Sequence, residues 1–370
     1  MIKIKRVYEE NGKFFAVSDQ SPFYPDGKGG QLGDHGKIGP ANVLNVQETS
    51  EHEIVHMLDR FIEPGEYDCV IDQLRQKDIA IQHTAQHILS ASFLKVAQAG
   101  TVSFHMGEES STIDLDMPQF TIETLKASEE LANEIVRKCV DVEILQLDRE
   151  EAEKMNLRKA LSEKVTDLVR IVKIDDFDTA ACGGYHVKNT GEIGVIKVVS
   201  WEKTKGSLTR VYFLAGNRAV KDYNKKVLVL RELSKLLTSS VDEMQDRIEG
   251  LLNKIKEQAS LIKRLSEELA KVLHEKLETH RLKGYTVSTY EGFDEVAYSL
   301  AKYFQTDLLI CKTSEGYLFA SKEIDCSKLI ESLKKELPGT GGGGARRGTF
   351  KTPATWKELL LTTEKFLEVI

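Results

Sequence analysis

Two compact pairs of candidate metal ligands stand nearly a hundred positions apart. His83 and His87 lie in Gln-His-Thr-Ala-Gln-His-Ile-Leu, and Cys182 and His186 lie in Ala-Cys-Gly-Gly-Tyr-His-Val. The first pair falls within residues 78–97, where Ile79, Ile88, Leu89, Phe93 and Leu94 recur at roughly helical spacing. Residues four apart then project from one helix face, so both imidazoles can reach one ion. In the second pair Gly183 and Gly184 let the backbone turn tightly enough to aim a thiolate and an imidazole inward. Three nitrogens and one sulfur suit a single tetrahedral zinc ion. The chain holds only 9 His and 5 Cys, so two complementary pairs carry more weight than either pair alone. One familiar chemistry is excluded: Thr84 occupies the position where a zincin protease carries its glutamate base.

These pairs need elements to hold them, and 370 residues suffice for two or three domains with a substantial core. Hydrophobic content of 41% and charged content of 29% are ordinary for a globular protein. No apolar run approaches the ~20 residues needed to cross a bilayer. Met-Ile-Lys-Ile-Lys-Arg reads as a charged edge strand rather than a signal peptide, so a cytoplasmic location is expected. Cys69, Cys139, Cys311 and Cys326 are read as free, mostly buried thiols of a reducing compartment. The net charge is −7, yet residues 197–283 contain 19 Lys and Arg against 12 Asp and Glu, which leaves a local basic surface or the solvated faces of long helices.

The expected architecture is α+β, in four parts. Residues 1–75 read as short strands forming a small β-barrel or curled sheet, with five glycines in the loop 21–36. That loop is neither a Walker loop nor a dinucleotide fingerprint. Residues 76–216 alternate strands and helices around the ligand pairs as an α/β-sandwich core. A helix is expected at 122–137 and another from Asp148, and strands at 101–105, 111–115, 141–146, 169–174, 193–200 and 207–214. Residues 217–283 carry a heptad seam, Val220, Val227, Val241, Ile248, Ile255, Ile262 and Leu269 with Tyr223, Leu230, Leu237, Met244, Leu251, Leu265 and Val272. The seam needs a partner helix, in a homodimer or by folding back, and Ser239 to Glu243 offers a break. Residues 284–370 return to a small α/β domain, with strands at 285–289, 308–312 and 317–321 and helices near 293–304 and 327–337. It includes the glycine run 339–344 before Arg346 and Arg347, read as a flexible linker or a phosphate contact.

In this order the motifs resemble the editing half of alanyl-tRNA synthetase, and more closely the free-standing AlaX editing proteins of the long type. The resemblance rests on Phe23-Tyr24 through Gly29-Gly30-Gln31-Leu-Gly-Asp34, His83-Thr-Ala-Gln-His87, Cys182-Gly-Gly-Tyr-His186-Val with Thr190-Gly-Glu-Ile-Gly194, and Arg210-Val-Tyr-Phe-Leu-Ala-Gly216. It implies hydrolysis of the ester joining serine, with glycine as a second candidate, to tRNA(Ala). His83, His87, Cys182 and His186 become the ligands of one zinc ion at the catalytic site. Gln31 with Tyr24, Gly29 and Gly30 is a candidate for recognising the tRNA 3′ end or completing the pocket. Gln86 and Tyr185, at positions where the synthetases usually carry threonine, are candidates to line it. Arg346 and Arg347 are candidate tRNA contacts, although the chain departs from the family pattern after the glycine run. The resemblance begins in the β-domain, so activation of alanine is not expected. The alternative is a non-catalytic, zinc-stabilised tRNA-binding module.

Overall fold

The computed structural model describes residues 1–161, 168–204 and 206–370. The chain divides into two units, Met1–Arg231 and Glu232–Ile370.

The first unit begins with antiparallel strands. Arg6–Glu10, Lys13–Ser18, Ile54–Leu58, Ala41–Glu48, Gly36–Ile38 and Cys69–Ile71 form a six-stranded sheet in that order, and Ile2–Ile4 pairs with Gly65–Tyr67. Alternation buries Ala16, Ile38, Ala41, Val43, Val46 and Leu58 in a core with Ile2, Ile4 and Phe23. Helix α1 (Gln73–Ala97) follows. It starts five residues before the apolar periodicity, because the Asp72 carboxylate accepts from the backbone N–H of Leu74 and Arg75 and fixes the N-terminus there. Gln98, at φ 55°, ends it in the left-handed conformation. From Ile79 to Phe93 every residue is buried, so polar side chains on this helix need partners within the protein.

α1 packs in a core with the helix Ile122–Lys138 and the antiparallel sheet Ile196–Lys203, Thr209–Ala215, Ser111–Leu115, Thr101–Met106. A separate three-stranded sheet joins Val142–Leu147, Val169–Ile174 and Asp178–Ala181. The last strand is too short and mixed to show in the sequence pattern, yet it delivers the chain to Cys182. Asp148 caps the short helix Arg149–Lys154 as expected. Of the four thiols read as mostly buried, Cys311 and Cys326 are buried, Cys69 is half-buried, and Cys139, which ends a helix at φ 51°, is exposed.

In the second unit six strands align in the order Glu278–Leu282, Tyr285–Glu291, Leu308–Thr313, Gly316–Ser321, Arg347–Lys351, Thr340–Gly343. Tyr285–Glu291 and Leu308–Thr313 are parallel, joined by a crossover containing the helix Asp294–Leu300. Cys326–Glu336 and Trp356–Leu367 are helical, the latter with a capping box of Thr355 and Glu358.

The glycine run is not a flexible linker: Thr340–Gly343 pairs with Arg347–Lys351. A Cβ at Gly341, Gly343 or Gly348 would collide with Thr349 O, Arg347 O or the Ile330 side chain, so close packing selects glycine. The heptad segment, for which the sequence left one helix or a break at Ser239 to Glu243 open, is broken there. A helix ends at Leu237, Thr238 turns at φ 50°, Ser240 and Glu243 exchange hydrogen bonds, and a second helix runs Met244–Leu273. The chain then enters the strand Glu278–Leu282, within the 217–283 segment read as helical. No helix among the described residues is long and apolar enough to cross a membrane.

Candidate metal centre

The four residues read from spacing converge. One donor atom from each of His83, His87, Cys182 and His186 lies within 4.8 Å of the others. Cys182 Sγ stands 3.3 Å from Nε2 of both His83 and His186. A tetrahedral zinc with ordinary Zn–S and Zn–N lengths requires an S···N edge of about 3.5 Å, so the spacing suits such an ion.

Hydrogen bonds on the far side of each ring decide which nitrogen faces this centre. Gln31 Oε1 accepts from the Tyr185 backbone N–H, 2.8 Å away, which marks it as the amide oxygen. His83 Nδ1, 2.9 Å from the same oxygen, therefore carries a proton and donates it. His87 Nδ1 donates to the Asp178 carboxylate at 3.2 Å. Thr84 Oγ1 donates to Ala80 O and accepts from the Val187 N–H, so His186 Nδ1, 3.1 Å away, donates to it as well. All three imidazoles hold their proton on Nδ1 and turn an Nε2 lone pair inward, the tautomer that ligation needs.

The local chain explains how the second pair is aimed. The Arg170 guanidinium donates to the carbonyls of Cys182 and Gly184, at 2.6 and 2.8 Å, and ties the loop to the strand Val169–Ile174. Gly184 lies so close to the metal centre that an added Cβ would overlap the His83 ring and Gln31 Oε1. Burial alone would raise the Cys182 pKa, but the contacts with His186, His83 and His87 around the sulfur outweigh it and lower it to about 2, giving a thiolate. Burial lowers His83, and lowers His186 to about 3, so both stay neutral at pH 7. Burial also acts against the charged form of His87, but the Asp178 carboxylate and the Cys182 sulfur beside it prevail and its pKa is raised. For Asp178 burial works upward and is outweighed by His87 and Arg158, which hold the carboxylate ionised.

A cavity of about 430 Å³ opens on this centre, lined by His83, His87 and Cys182 together with Gly29, Gln86, Phe104 and Arg158. Gly29 and Gly30 approach the centre, Gly29 close to the Gly184 backbone and Gly30 against the Phe104 ring. Gln86 is in the wall and donates to Ser90 Oγ. Tyr24 and Tyr185 face each other, ring centroids 5.2 Å apart, and line a different cavity of about 470 Å³. The Tyr185 hydroxyl donates to Asp34, whose Oδ2 also accepts from the Tyr24 N–H. Gln31 is not in the cavity wall; its carbonyl is committed to His83 and Tyr185. Arg346 and Arg347 are exposed in the second unit, and the Arg347 guanidinium lies 5.1 Å from the Tyr298 ring centroid. Asp178, Arg158, Arg170 and the role of Thr84 escaped the sequence reading. They act through chain-distant partners, and no local motif marks them.

Residues 169–212 match the threonyl and alanyl tRNA synthetase second additional domain. The chain is 30% identical to an alanine–tRNA ligase of Thermotoga maritima over 390 residues, covering 96% of this chain and 44% of that protein. The ligase of a Thermoanaerobacter species is 30% identical over 93% of this chain and 43% of its own. That of Methanopyrus kandleri is 28% identical over 98% and 42%. The chain thus spans less than half the length of these curated relatives. Among solved structures, RecJ with Mg2+ from Thermus thermophilus overlaps at a TM-score of 0.26 and 11% identity, over 38% of this chain and 28% of that one, too slight a likeness to argue from. The chain is an alanyl-tRNA synthetase-related protein, and its second-additional-domain segment contains the Cys182 and His186 pair.

Proposed function

We propose that the protein is an aminoacyl-tRNA deacylase that hydrolyses the ester of Ser-tRNA(Ala), with Gly-tRNA(Ala) as a second substrate, at a site holding one zinc ion. The observation that carries this reading is the convergence of three inward-facing Nε2 lone pairs and a thiolate on the wall of a cavity large enough for an aminoacyl ester. The likeness to alanine–tRNA ligases supplies the tRNA.

A zinc ion there would supply Lewis acidity toward the ester carbonyl or hold the substrate's amino group. His83, His87, Cys182 and His186 would bind it, and Gln31, Asp178 and Thr84 keep the imidazoles in their ligating tautomer. Phe104 and Gly29 bound the space available to the amino acid. In the reaction the oxygen of a water bonds to the ester carbon, the bond to the ribose oxygen breaks, and the water's protons end on the ribose hydroxyl and the buffer. Free serine and tRNA with an intact 3′ end are released. Asp178 is not the base, because His87 and Arg158 occupy both of its oxygens. A polar wall suited to a seryl hydroxyl disfavours alanine, which would leave that wall unpaired.

The test is release of serine from Ser-tRNA(Ala), beside Ala-tRNA(Ala) and a Cys182→Ala control. Release of serine with alanine spared, and a fall of at least about 100-fold in the folded control, is the expected result. Four protein ligands also describe a closed structural site, which favours a second reading as a zinc-stabilised tRNA-binding module. Folded, zinc-loaded protein that binds tRNA without releasing serine would establish that module instead. We also propose that the exposed seam Ile248, Leu251, Ile255, Ile262 and Leu265 pairs with a second copy of the chain. A dimer in sedimentation equilibrium, dispersed by Ile255→Glu, is expected; a wild-type monomer at high concentration would exclude it.

A further inference from the structure

The cavity at the metal centre carries more positive charge than an aminoacyl ester needs. Besides the ligands its wall includes Arg158 and Lys159, in the segment after the helix Arg149–Lys154. Arg158 is built in. Its backbone N–H donates to Thr179 O at 2.8 Å, and its Nε donates to Asp178 Oδ1 at 2.7 Å. The other Asp178 oxygen holds His87 Nδ1. The two Nη groups of Arg158 have no partner among the described residues, so the fork that suits an anion remains available. Lys159 is exposed and has no ion-pair partner among the described residues. A serine or glycine ester presents an ammonium and no anion, so neither cation is explained by the reacting group.

We propose that Arg158 and Lys159 form a subsite for the phosphodiester backbone beside the acylated 3′ end of an RNA. This rests on the deacylase reading for the identity of the acyl group, but the subsite itself is a matter of RNA binding. Arg158 uses its Nη groups on a phosphate while Nε stays on Asp178. Seating of the RNA and orientation of His87 are thereby joined through one carboxylate. Lys159 adds a second, less directional charge. The ligand chemistry is a phosphodiester or a free phosphate, and the RNA backbone is favoured because the same cavity presents the ester-sized space at the metal centre.

The experiment measures binding of the intact, zinc-loaded protein to an acceptor-stem RNA carrying serine through a non-hydrolysable 3′-amide. Two further probes are 3′-seryl-amino-adenosine, which has no phosphate, and inorganic phosphate alone. The variants are Lys159→Ala, which removes an exposed side chain, and Arg158→Lys, which keeps the charge and loses the fork. The expected result is weaker RNA binding in both variants, about tenfold for Arg158→Lys. The slope of log Kd against log salt should become shallower by about 0.7 in Lys159→Ala, the value for one phosphate contact on a single strand. Binding of the nucleoside amide should be unchanged in Lys159→Ala. Unaltered RNA affinity and salt slope in both variants would overturn the subsite, as would inorganic phosphate binding that RNA does not compete for. If the variants lose RNA binding while the wild type releases no serine, the deacylase reading fails and the subsite stands. If serine is released and the variants bind RNA normally, the reverse holds.

Discussion

At the scale of single residues the centre depends on a shell that touches no metal. Gln31, Asp178 and Thr84 each accept a hydrogen bond from the Nδ1–H of one imidazole and so aim its other nitrogen inward. Removing such a partner frees the ring to rotate and to change tautomer. Gln31→Ala and Asp178→Ala should each weaken metal binding by about 10- to 100-fold in competition with a chromophoric chelator, with near-UV circular dichroism reporting that the fold survives. Affinities equal to wild type would remove these residues from the centre. Gln31 also takes a place different from its sequence expectation. Its carbonyl is spent on His83 and the Tyr185 N–H, so the glycine-rich loop reaches the site as a support for a ligand.

Among elements, the ends are set by single side chains. Asp72 alone supplies the side-chain cap of α1, and Asp72→Ala should destabilise the first unit by about 1 kcal/mol. Thr238 holds φ at 50° between two helices, a conformation that a β-branched residue adopts at a cost. Thr238→Gly should therefore stabilise the second unit by roughly 1 kcal/mol in denaturant titration; a loss would mean that the threonine side chain makes a needed contact. The same elements show what a sequence discloses. Apolar periodicity located α1, the helix Ile122–Lys138 and most strands, because side-chain spacing is a local property. It missed the strand Asp178–Ala181, four residues long, and the glycine strand Thr340–Gly343, where the reason for glycine is a neighbouring strand rather than a turn. The ligand pairs were legible because each is four residues apart. The hydrogen bonds that tune them join positions 52, 91 and 102 apart, and spacing says nothing about those.

At the level of the whole molecule, stability should depend on pH through a histidine outside the candidate metal centre. His56 is fully buried, donates from Nδ1 to Ala16 O and pairs through Nε2 with Ser21 Oγ at the start of the glycine-rich loop. Burial lowers its pKa from 6.5 to about 4. The folded state thus favours the neutral ring, so the stability it contributes is complete above pH 6.5 and declines as pH falls toward 4. The loss should approach 3 kcal/mol, to order of magnitude. Hydrogen exchange of the Lys13–Ser18 amides, compared with a His56→Gln variant, isolates this effect; parallel pH profiles would refute it. The separation of the ligands has a further consequence, for synthesis. His83 leaves the ribosome 99 residues ahead of Cys182. At ~5–20 residues per second the histidine pair waits on the order of 5–20 s for its thiolate. A nascent chain therefore exposes a two-histidine half-site for that interval, and a chain stalled before residue 182 should bind divalent ions through that pair alone, more weakly than the completed four-residue centre.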